Sequence, residues 1–257
     1  MKPVKDLFDI SGRTAVVTGA TRGLGRAIAD GLAARGANVV VSSRKQDQCD
    51  EAAAMINDTG GRAIGVSWHA GDWEGAPALV DAAVAEFGRL DIVVNNAGIN
   101  PGSTLLVDMT AELWDKVMQV NLRGPMRLSA LAAPVMAATG GGSIVNISTL
   151  GAYRSGAGLA HYSASKSALL RLTQSMAAEW APLGIRANAI SPGPFLTDMT
   201  RGGEHFSPGF LDSAANGTMQ KRVADPSEIV GAVIYFASDA SSFVTGEDHV
   251  VSGGMLR

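Results

Sequence analysis

The sequence is poor in cysteine, in basic charge and in long apolar runs, and each scarcity excludes a class of protein. A single cysteine, Cys49, excludes an intramolecular disulfide and suits a reducing cytoplasm. Because the 24 acidic residues outnumber the 21 lysines and arginines, the chain has no excess of positive charge to attract nucleic acid or an anionic membrane. No apolar run reaches the ~20 residues of a membrane span, and the opening MKPVKDLFDISGR lacks the apolar centre of a signal peptide. We therefore expect a cytoplasmic protein that binds neither nucleic acid nor membrane.

Short apolar runs do occur, and they alternate with longer segments of helical spacing. Strands are predicted at 14–18, 38–43, 62–67, 91–95, 143–148, 185–191 and 248–252. Helices are predicted at about 23–35, 46–59, 74–87, 111–138, 161–181 and 226–238. The strand runs are nearly continuously apolar, as expected when both faces of a sheet are covered. Regular alternation of strand and helix predicts an α/β fold, a doubly wound parallel sheet with helices on both faces.

No linker, repeat or low-complexity tract divides the chain, so residues 1–257 are predicted to form a single domain. The one irregular region is 194–222, which mixes Gly, Pro, Ser and Asn with isolated apolar residues. A segment of this length without a clear period is often functional, and we predict a substrate lid there. A passive surface loop is the alternative.

A glycine-rich turn follows the first predicted strand, in TAVVTGATRGLGRAIADGL. Gly19, Gly23 and Gly25 permit positive φ and close approach of a ligand to the backbone. The helix that begins there offers unpaired N–H groups and the positive end of a dipole to a pyrophosphate. The spacing G-x-x-x-G-x-G differs from the G-x-G-x-x-G dinucleotide fingerprint. The prediction of a nucleotide site therefore depends on the position of these glycines directly after the first strand. We predict a nucleotide-binding turn.

The end of the second predicted strand indicates which nicotinamide cofactor binds. An NAD site places an acidic residue there for the ribose hydroxyls, whereas this strand ends in Ser42, Ser43, Arg44 and Lys45. Arg44 can pair with a 2′-phosphate, flanked by Arg22 of the glycine turn, because a guanidinium matches a phosphate in charge and shape. Two solvated surface arginines are the alternative. NADP(H) is predicted in preference to NAD(H).

In HYSASKSALLRL, Tyr162 and Lys166 stand four residues apart at the head of a predicted helix. Residues i and i+4 share a helix face, so the phenol and the ammonium point the same way. A free tyrosine has a pKa of about 10, and a nearby ammonium favours the phenolate. A tyrosine with a lowered pKa can give its proton to a carbonyl oxygen or take one from an alcohol. The pattern Y-x-x-x-K is weak evidence by itself, since such pairs also occur by chance.

The chain resembles the classical short-chain dehydrogenases/reductases in motifs that occur in the same order. These are TGATRGLG, NNAG at 95–98, Asn121 in QVNLRG, YSASK, and the PG turn at 192–193. The resemblance runs from about residue 11 to residue 254, and the combination is specific although each piece is not. It implies one Rossmann-like domain with seven parallel strands and hydride exchange between a nicotinamide cofactor and a small carbonyl or alcohol substrate. It also implies a homotetramer or homodimer, and no metal site is predicted.

The resemblance further implies a catalytic group of Asn121, Thr149, Tyr162 and Lys166. Tyr162 would be the general acid/base, Lys166 its electrostatic partner and a ribose ligand, and Asn121 the holder of a water on a proton route. The family usually has serine thirteen residues before the tyrosine, where this chain has Thr149. Threonine keeps the hydroxyl and adds a methyl group, so Thr149 is expected to orient and polarise the substrate oxygen. Ser148, one residue earlier, is the alternative.

The same resemblance distributes the cofactor over the remaining motifs. Its implied ligands are Gly19, Thr21, Arg22, Gly23, Leu24, Gly25, Ser43, Arg44, His69, Asn95, Ala97, Gly98, Tyr162, Lys166, Pro192, Gly193, Phe195 and Thr197. His69 stands where the family often has an aspartate against the adenine amino group; it either contacts the adenine or is an exposed turn residue. Pro192, Gly193 and the backbone of Phe195 would hold the nicotinamide carboxamide. Ser252 in VSGG replaces the usual aspartate, so a local polar contact differs.

The predicted activity is NADP(H)-dependent interconversion of a ketone or aldehyde with an alcohol, and narrower substrates stay open. A 3-oxoacyl group on acyl carrier protein would want a basic patch, for which the candidates are Arg123, Arg127, Arg154 and Arg171. A sugar or sugar-acid ketone would favour a polar lid, and Glu204 and His205 lie in the predicted lid. The non-enzymatic alternative is a nucleotide-binding regulatory protein, which the presence of Tyr162 with Lys166 disfavours.

Overall fold

A parallel sheet of seven strands runs through the residues that the computed structural model describes, 7–206 and 208–255. In chain order the strands are β1 (Thr14–Thr18), β2 (Asn38–Ser43), β3 (Arg62–Ser67), β4 (Ile92–Asn95), β5 (Gly142–Ile147), β6 (Ile185–Pro192) and β7 (Asp248–Val251). Their order across the sheet is β3-β2-β1-β4-β5-β6-β7, and every neighbouring pair is parallel. The predicted α/β fold is confirmed, and every strand boundary lies within one residue of its prediction.

Helices cover both faces of this sheet, which explains the apolar runs of the strands. The α-helices in the described residues are α1 (Gly23–Ala34), α2 (Gln46–Asp58), α3 (Pro77–Phe87), α4 (Ala111–Met118), α5 (Gly124–Ala138), α6 (Ala160–Trp180), α7 (Asp198–Phe206), α8 (Phe210–Gly217) and α9 (Val230–Ala237). On one face Val17 of β1 belongs to a buried cluster with Ile28 and Phe236. On the other face Val16 belongs to a cluster with Leu128. Successive strand residues thus serve two separate cores.

The strand order places a crevice at one edge of the sheet. β1 lies between β2 and β4, so the chain winds outward in one direction through β2 and β3 and in the other through β4 to β7. In an open α/β sheet such a reversal leaves a crevice outside the carboxyl ends of the strands. The turns that follow β1, β4, β5 and β6 meet at this edge.

A π-helical turn, Gln119–Arg123, joins α4 to α5, where the spacing predicts one uninterrupted helix over 111–138. The wider turn carries Asn121, which is fully buried. Its Oδ1 accepts from the backbone N–H of Ile99 (2.8 Å), and its Nδ2 donates to the carbonyl of Ile99 (2.9 Å). The π turn directs the asparagine toward this backbone segment after β4. Apolar spacing carries no signal for such a local change of helix type.

Residues 194–222, predicted to be irregular, contain the helices α7 and α8. These helices have 9 and 8 residues, and α7 contains two adjacent glycines, which are poor helix formers and hide its period. The ends of the segment meet, because Leu196 N–H donates to the carbonyl of Ala224 (2.9 Å) and Ala224 N–H donates to that of Pro194 (2.9 Å). The segment is a helical excursion with a closed base.

Helix α1 packs directly on the turn that precedes it. A Cβ atom at Gly25 would lie 2.1 Å from the carbonyl oxygen of Gly19 and 2.4 Å from Nδ2 of Asn96. Both distances are far inside contact distance, so only glycine fits there without movement of the backbone. Gly19 itself has a φ of 64°, in the left-handed region. The glycine spacing therefore reflects close packing of the turn against α1 and the β4 edge.

We expect Gly25→Ala to lower the free energy of unfolding by about 2 kcal/mol or more, because the backbone must shift to admit the methyl group. Gly231→Ala is the matched control, since Gly231 lies within α9 and its Cβ would meet no atom within 4 Å. Alanine there should stabilise the helix by about 0.5–1 kcal/mol. Denaturant unfolding followed by circular dichroism measures both. Equal stability of Gly25→Ala and the unchanged chain would contradict this account.

Candidate active site

The predicted catalytic side chains meet at the carboxyl edge of the sheet. Thr149 follows β5, Asn121 lies in the π turn, and Tyr162 and Lys166 project from the first turns of α6. The hydroxyl of Tyr162 lies close enough to the side chain of Thr149 to interact with it. A Cβ at Gly98 would lie 3.3 Å from Nζ of Lys166 and 3.5 Å from Oδ1 of Asn121, so these two groups border the same space. The structure thus brings all of the predicted catalytic residues together.

Lys166 is a buried ammonium at the end of β5. Its side chain is 3% exposed, and Nζ donates to the carbonyl of Ile147 (2.7 Å). Burial disfavours the charged form and lowers the pKa of Lys166 to about 8. The Ile147 carbonyl is a partner that the sequence did not indicate, because it depends on where β5 ends beside α6.

The acidity of Tyr162 differs from the prediction. Although Tyr162 keeps some exposed surface, burial raises the pKa of its phenol above the ordinary value. The interaction with the Thr149 side chain lowers this pKa, but by less than burial raises it. The ammonium of Lys166 is directed to the carbonyl of Ile147. The net shift of the Tyr162 pKa in the protein alone is therefore upward, and the expected lowering is wrong there, because desolvation outweighs the opposing interactions.

Ser148 and Thr149 have different partners, which separates the two candidates for the substrate-orienting hydroxyl. Ser148 is 4% exposed and donates to the backbone carbonyl of Lys166 (3.2 Å). Thr149 Oγ1 accepts from the N–H of Gly151 (3.2 Å) and lies beside the phenol of Tyr162. The Ser148 hydroxyl is therefore used within the fold, and the geometry favours Thr149.

Asn121 uses its side-chain amide mainly within the protein. Besides the two bonds to Ile99, its Nδ2 donates to Oγ of Ser165 (3.1 Å), which in turn donates to the carbonyl of Tyr162 (2.7 Å). Both amide hydrogens of Asn121 are thus used in hydrogen bonds. One lone pair of Oδ1, on the side of Gly98, remains free to accept a hydrogen bond from a water. Asn121 links the segment after β4 to the start of α6.

Hydrogen bonds join the turn after β1 to the turn after β4. Oγ1 of Thr18 accepts from the N–H groups of Asn96 (3.1 Å) and Ala97 (3.0 Å). Nδ2 of Asn96 donates to the carbonyls of Thr18 (2.9 Å) and Gly19 (3.1 Å). Thr18 and Asn96 were absent from the predicted set, although NNAG contains Asn96 and pointed to this turn. Their hydrogen bonds stabilise the glycine turn from the side of β4.

Asn95, which the prediction did include, has its side chain inside the core. It is 2% exposed, and its Nδ2 donates to Oγ of Ser129 (3.0 Å) and to Oδ1 of Asn146 (2.8 Å). Ala97 and Gly98 follow and are partly exposed. Of the predicted NNAG residues, Ala97 and Gly98 therefore keep accessible surface, whereas the side chain of Asn95 is committed to the core.

The residues predicted to hold the adenosine end lie at the carboxyl ends of β2 and β3. Ser43 ends β2, and the next residue, Arg44, is exposed. His69 follows β3, is also exposed, and its Nδ1 accepts from the N–H two residues later (3.1 Å). Arg22 is exposed in the glycine turn, where Nη1 lies 3.2 Å from Oδ2 of Asp198, the first residue of α7. This end of the crevice is therefore open and carries cationic side chains.

The turn after Pro192 lies against the C-terminal segment and over the glycine turn. Gly193 N–H donates to the last carbonyl of β7 (2.9 Å), and a Cβ at Gly193 would lie 2.7 Å from Cα of Ser252. A Cβ at Gly23 would lie 3.6 Å from Cγ2 of Thr197. Phe195 is 3% exposed, so mainly its backbone is accessible to a ligand.

The crevice fits a dinucleotide. Thr21 and Leu24 are partly exposed at the start of α1, whose N-cap residue Arg22 makes no side-chain capping bond. The uncapped N–H groups suit a pyrophosphate. Gly23 has a φ of 57°, and the absence of a side chain at Gly98 leaves room in front of the buried ammonium for a ribose hydroxyl. These features fit a nicotinamide dinucleotide.

Residues 7–206 and 208–255 contain neither a metal-binding cluster nor a membrane-spanning helix. No group of three or more His, Cys, Asp or Glu side chains there is arranged to hold a metal ion. None of the helices in these ranges has both the length and the apolar character required to cross a bilayer.

Comparison with known proteins decides the family. The family profile described as Enoyl-(Acyl carrier protein) reductase matches residues 19–256. Dehydrogenase/reductase SDR family member 4 of Pongo abelii is 38% identical over 250 residues, which cover 95% of this chain and 88% of that protein. The chain belongs to the short-chain dehydrogenase/reductase family. The resemblance seen in the motifs is confirmed over almost the whole length.

Solved structures of other short-chain dehydrogenases/reductases share the fold. A gluconate 5-dehydrogenase from Burkholderia cenocepacia J2315, in complex with NADP and tartrate, matches with a TM-score of 0.92 and 35% identity and covers 97% of both chains. A 7α-hydroxysteroid dehydrogenase complexed with NADH and 7-oxo glycochenodeoxycholic acid matches with a TM-score of 0.93 and 32% identity, covering 98% of this chain and 97% of that one. This short-chain dehydrogenase/reductase is an oxidoreductase that acts on the CH–OH group of small-molecule alcohols, or on the matching carbonyls, with NAD(P)(H).

Buried polar atoms without hydrogen-bond partners occur next to the catalytic group, within the described part of this enzyme. His161, the second residue of α6, is fully buried, and neither ring nitrogen has a partner. Oγ of Ser163 and Oδ1 of Asn100 are also buried and unpartnered. A Cβ at Gly151 would lie 3.6 Å from Oγ of Ser163 and 3.7 Å from Oγ1 of Thr149, so this hydroxyl is close to the site. Because buried polar groups are normally paired, these atoms are available to water or a polar ligand.

The lowered pKa of Lys166 predicts how carbonyl reduction depends on pH. As the pH rises through about 8 the ammonium loses its proton, whereas the raised pKa of Tyr162 keeps the phenol protonated. We expect kcat/KM for a non-ionising carbonyl substrate to fall above about pH 8. In Lys166→Arg the guanidinium keeps its charge to about pH 12, so the falling limb should move to higher pH. A pH–rate profile measures this; an unchanged limb in the arginine variant would refute the assignment to Lys166.

Proposed function

We propose that this short-chain dehydrogenase/reductase prefers NADP(H) and interconverts a ketone or aldehyde and an alcohol, with a catalytic group of Asn121, Thr149, Tyr162 and Lys166. The observation that carries the proposal is the hydroxyl pair of Thr149 and Tyr162 at the crevice edge that also holds the buried ammonium of Lys166. A carbonyl oxygen can accept hydrogen bonds from both hydroxyls at once. The substrate oxygen is therefore held by the group that protonates it.

In the reduction, a bound nicotinamide supplies the hydride to the carbonyl carbon. Tyr162 donates its proton to the carbonyl oxygen, and its raised pKa keeps that proton in place until the oxygen becomes basic. Thr149 donates a hydrogen bond to the same oxygen and fixes it in front of the phenol. Lys166 stabilises the phenolate that remains and offers its other protons to ribose hydroxyls. In the oxidation, Tyr162 removes the proton from the alcohol.

The phenolate of Tyr162 must regain a proton after each reduction. Asn121 supports a route for it, because the free lone pair of Oδ1 and the ammonium of Lys166 border the same space beside Gly98. We infer that the Lys166 ammonium returns a proton to the phenolate, and that a water hydrogen-bonded to Oδ1 of Asn121 then reprotonates the neutral lysine from solvent. The proposed cofactor ligands are the predicted residues, with Asn95 and Phe195 acting through their backbone.

The preference for NADP(H) depends on Arg44. No acidic residue stands at the end of β2, and Arg44 is exposed without an ion pair among the described residues. Arg22 lies in the neighbouring glycine turn, where Asp198 offsets part of its charge. Because one similar protein was solved with NADP and another with NADH, the preference is argued from Arg44 and not from the relatives.

The contacts of two of the four candidate arginines, Arg123 and Arg127, give no support to acyl carrier protein as a substrate carrier. Arg123 donates to the carbonyl of Gly71 (3.1 Å), and the guanidinium of Arg127 lies 4.5 Å from the ring centre of Trp73. Both side chains are thus engaged with the segment between β3 and α3. A basic patch at the mouth of the crevice would need them elsewhere.

The polar lid residues give no specific support to a sugar substrate either. The carboxylate of Glu204 accepts from the N–H groups of Gly209 (2.8 Å) and Leu211 (2.7 Å), so it stabilises the turn between α7 and α8. The side chain of His205 lies outside the described residues. The proposed substrate therefore stays a ketone or aldehyde of unspecified class.

We infer that residues 1–257 act as one domain in which segment 194–222 is a substrate lid. The proximity of Thr197 to Gly23 and the exposed ion pair of Arg22 with Asp198 support a position of α7 beside the glycine turn. The backbone bonds at Ala224 close the base of the segment, so it can move as a unit about that base.

We infer a homotetramer, with a homodimer as the alternative, in the cytoplasm. A groove between the π turn and α6 is lined by the half-buried Met118, Leu122, Met126 and Leu172 together with charged residues such as Asp115 and Arg171, and Phe243 is fully exposed elsewhere. Exposed apolar surface of this kind favours association. The buried free thiol of Cys49 suits a reducing compartment. Light scattering measures the mass in solution, and a monomer would exclude both assemblies.

The proposed roles predict an order of activity loss among hydroxyl variants. Tyr162→Phe should lower kcat by about 10³-fold and Thr149→Val by about 10²-fold, because they remove the proton donor and the second donor to the substrate oxygen. Ser148→Ala, the matched control, should change kcat less than about threefold, since its hydroxyl serves the fold. NADPH oxidation with keto-sugars, diketones, steroids and acyl thioesters measures these rates. Full activity of Thr149→Val would transfer the role to Ser148.

The proposed cofactor preference predicts that Arg44→Asp weakens NADPH binding by about 10–100-fold, a loss of about 1.4–2.8 kcal/mol, while NADH affinity changes little. Arg35→Asp is the control, because it makes the same charge change at the exposed carboxyl end of α1, away from the crevice. Fluorescence titration of both cofactors measures the dissociation constants. Unchanged NADPH affinity in Arg44→Asp would rule out Arg44 as the phosphate ligand.

A further inference from the structure

We propose that Asp248 is a positioning residue, whose carboxylate joins the turn that carries Thr149 to the end of β6. Tyr153 Oη donates to Oδ2 of Asp248. Ser191 Oγ donates to the same carboxylate, at 2.8 Å from Oδ2 and 3.0 Å from Oδ1. The inference rests on the proposed function, because it takes these two segments to hold the substrate oxygen and the nicotinamide.

Tyr153 closes the turn that begins at Thr149. The N–H of Ala152 donates to the carbonyl of Thr149 (3.0 Å), and the N–H of Tyr153 donates to that of Leu150 (3.0 Å). Oγ of Ser167, on α6, donates to the carbonyl of Ala152 (2.6 Å). The turn is thus held by α6 on one side, and the Tyr153 hydroxyl is its connection to β7 on the other.

Ser191 connects the same carboxylate to the end of β6. It is fully buried and directly precedes Pro192 and Gly193, the proposed nicotinamide turn. In the sheet, Ala189 is the register partner of Asp248. Positions 189 and 191 point to the same face, so the serine hydroxyl reaches the Asp248 carboxylate along that face.

The charge of Asp248 makes it suited to hold two segments at once. An ionised carboxylate accepts stronger hydrogen bonds than a neutral oxygen and has lone pairs for several donors. Among the described residues Asp248 forms no ion pair, so the hydroxyls of Tyr153 and Ser191 are the groups that satisfy it. Because misplacement of a reacting group by ~1 Å can cost about 10²-fold in rate, loss of this link should slow the chemical step.

The experiment removes the link from either end and measures how the effects combine. Tyr153→Phe deletes only the hydroxyl, and Asp248→Ala deletes the acceptor. We expect each to lower kcat about tenfold, with KM for the carbonyl and the dissociation constant of NADPH within about twofold. In the double variant, Tyr153→Phe should add less than about twofold to the loss caused by Asp248→Ala, because the bond is already broken.

Tyr235→Phe is the matched control, since it deletes a tyrosine hydroxyl on α9 and should leave kcat unchanged. Asp248→Asn, which keeps an acceptor oxygen, should recover part of the rate lost in Asp248→Ala, which a general loss of folded protein would not explain. Wild-type kcat in Tyr153→Phe, or losses that simply multiply in the double variant, would overturn the positioning role. If the wild-type enzyme itself showed no carbonyl reductase activity, the proposed function would be overturned, and the positioning role of Asp248 with it.

Discussion

The hydrogen bond from the buried ammonium of Lys166 to the carbonyl of Ile147 is the interaction on which the site depends. It holds the first turns of α6 against the end of β5, and so determines where Tyr162, one helical turn earlier, meets Thr149. Burial of a charge is unfavourable, which is why the pKa of Lys166 falls to about 8. The same desolvation raises the pKa of Tyr162, so the protein alone keeps its proton donor protonated.

The elements around this pair are adapted to the crevice at the expense of regular structure. A π turn replaces α-helix where Asn121 reaches the backbone of Ile99. Because Gly25 has no Cβ, the carbonyl of Gly19 can pack against it more closely than against any other residue. Hydrogen bonds from Asn96 to Thr18 and Gly19 then join two strand ends at the point where the sheet reverses its winding. Local departures of this kind are common at functional sites.

Much of the fold and part of the site could be predicted from the sequence, because both are encoded in local patterns of neighbouring residues. Strands such as TAVVT are short, apolar and bounded by turn residues, so their limits are read directly from the residues. The glycine spacing and the separation of Tyr162 from Lys166 are local patterns as well. The helices in 194–222 were missed because they are short and rich in glycine, and the π turn because it leaves the apolar spacing unchanged.

By itself, the sequence determined the alternation of strands and helices, the face that Tyr162 shares with Lys166, and the order of the family motifs. Only the tertiary structure decided that the side chain of Asn95 is buried while Asn96 joins the turns, and that Thr149 and not Ser148 faces the phenol. It also decided the direction of the Tyr162 pKa shift. The physical reason is that periodicity is a property of neighbouring residues, whereas desolvation and hydrogen-bond partners depend on segments distant in the chain.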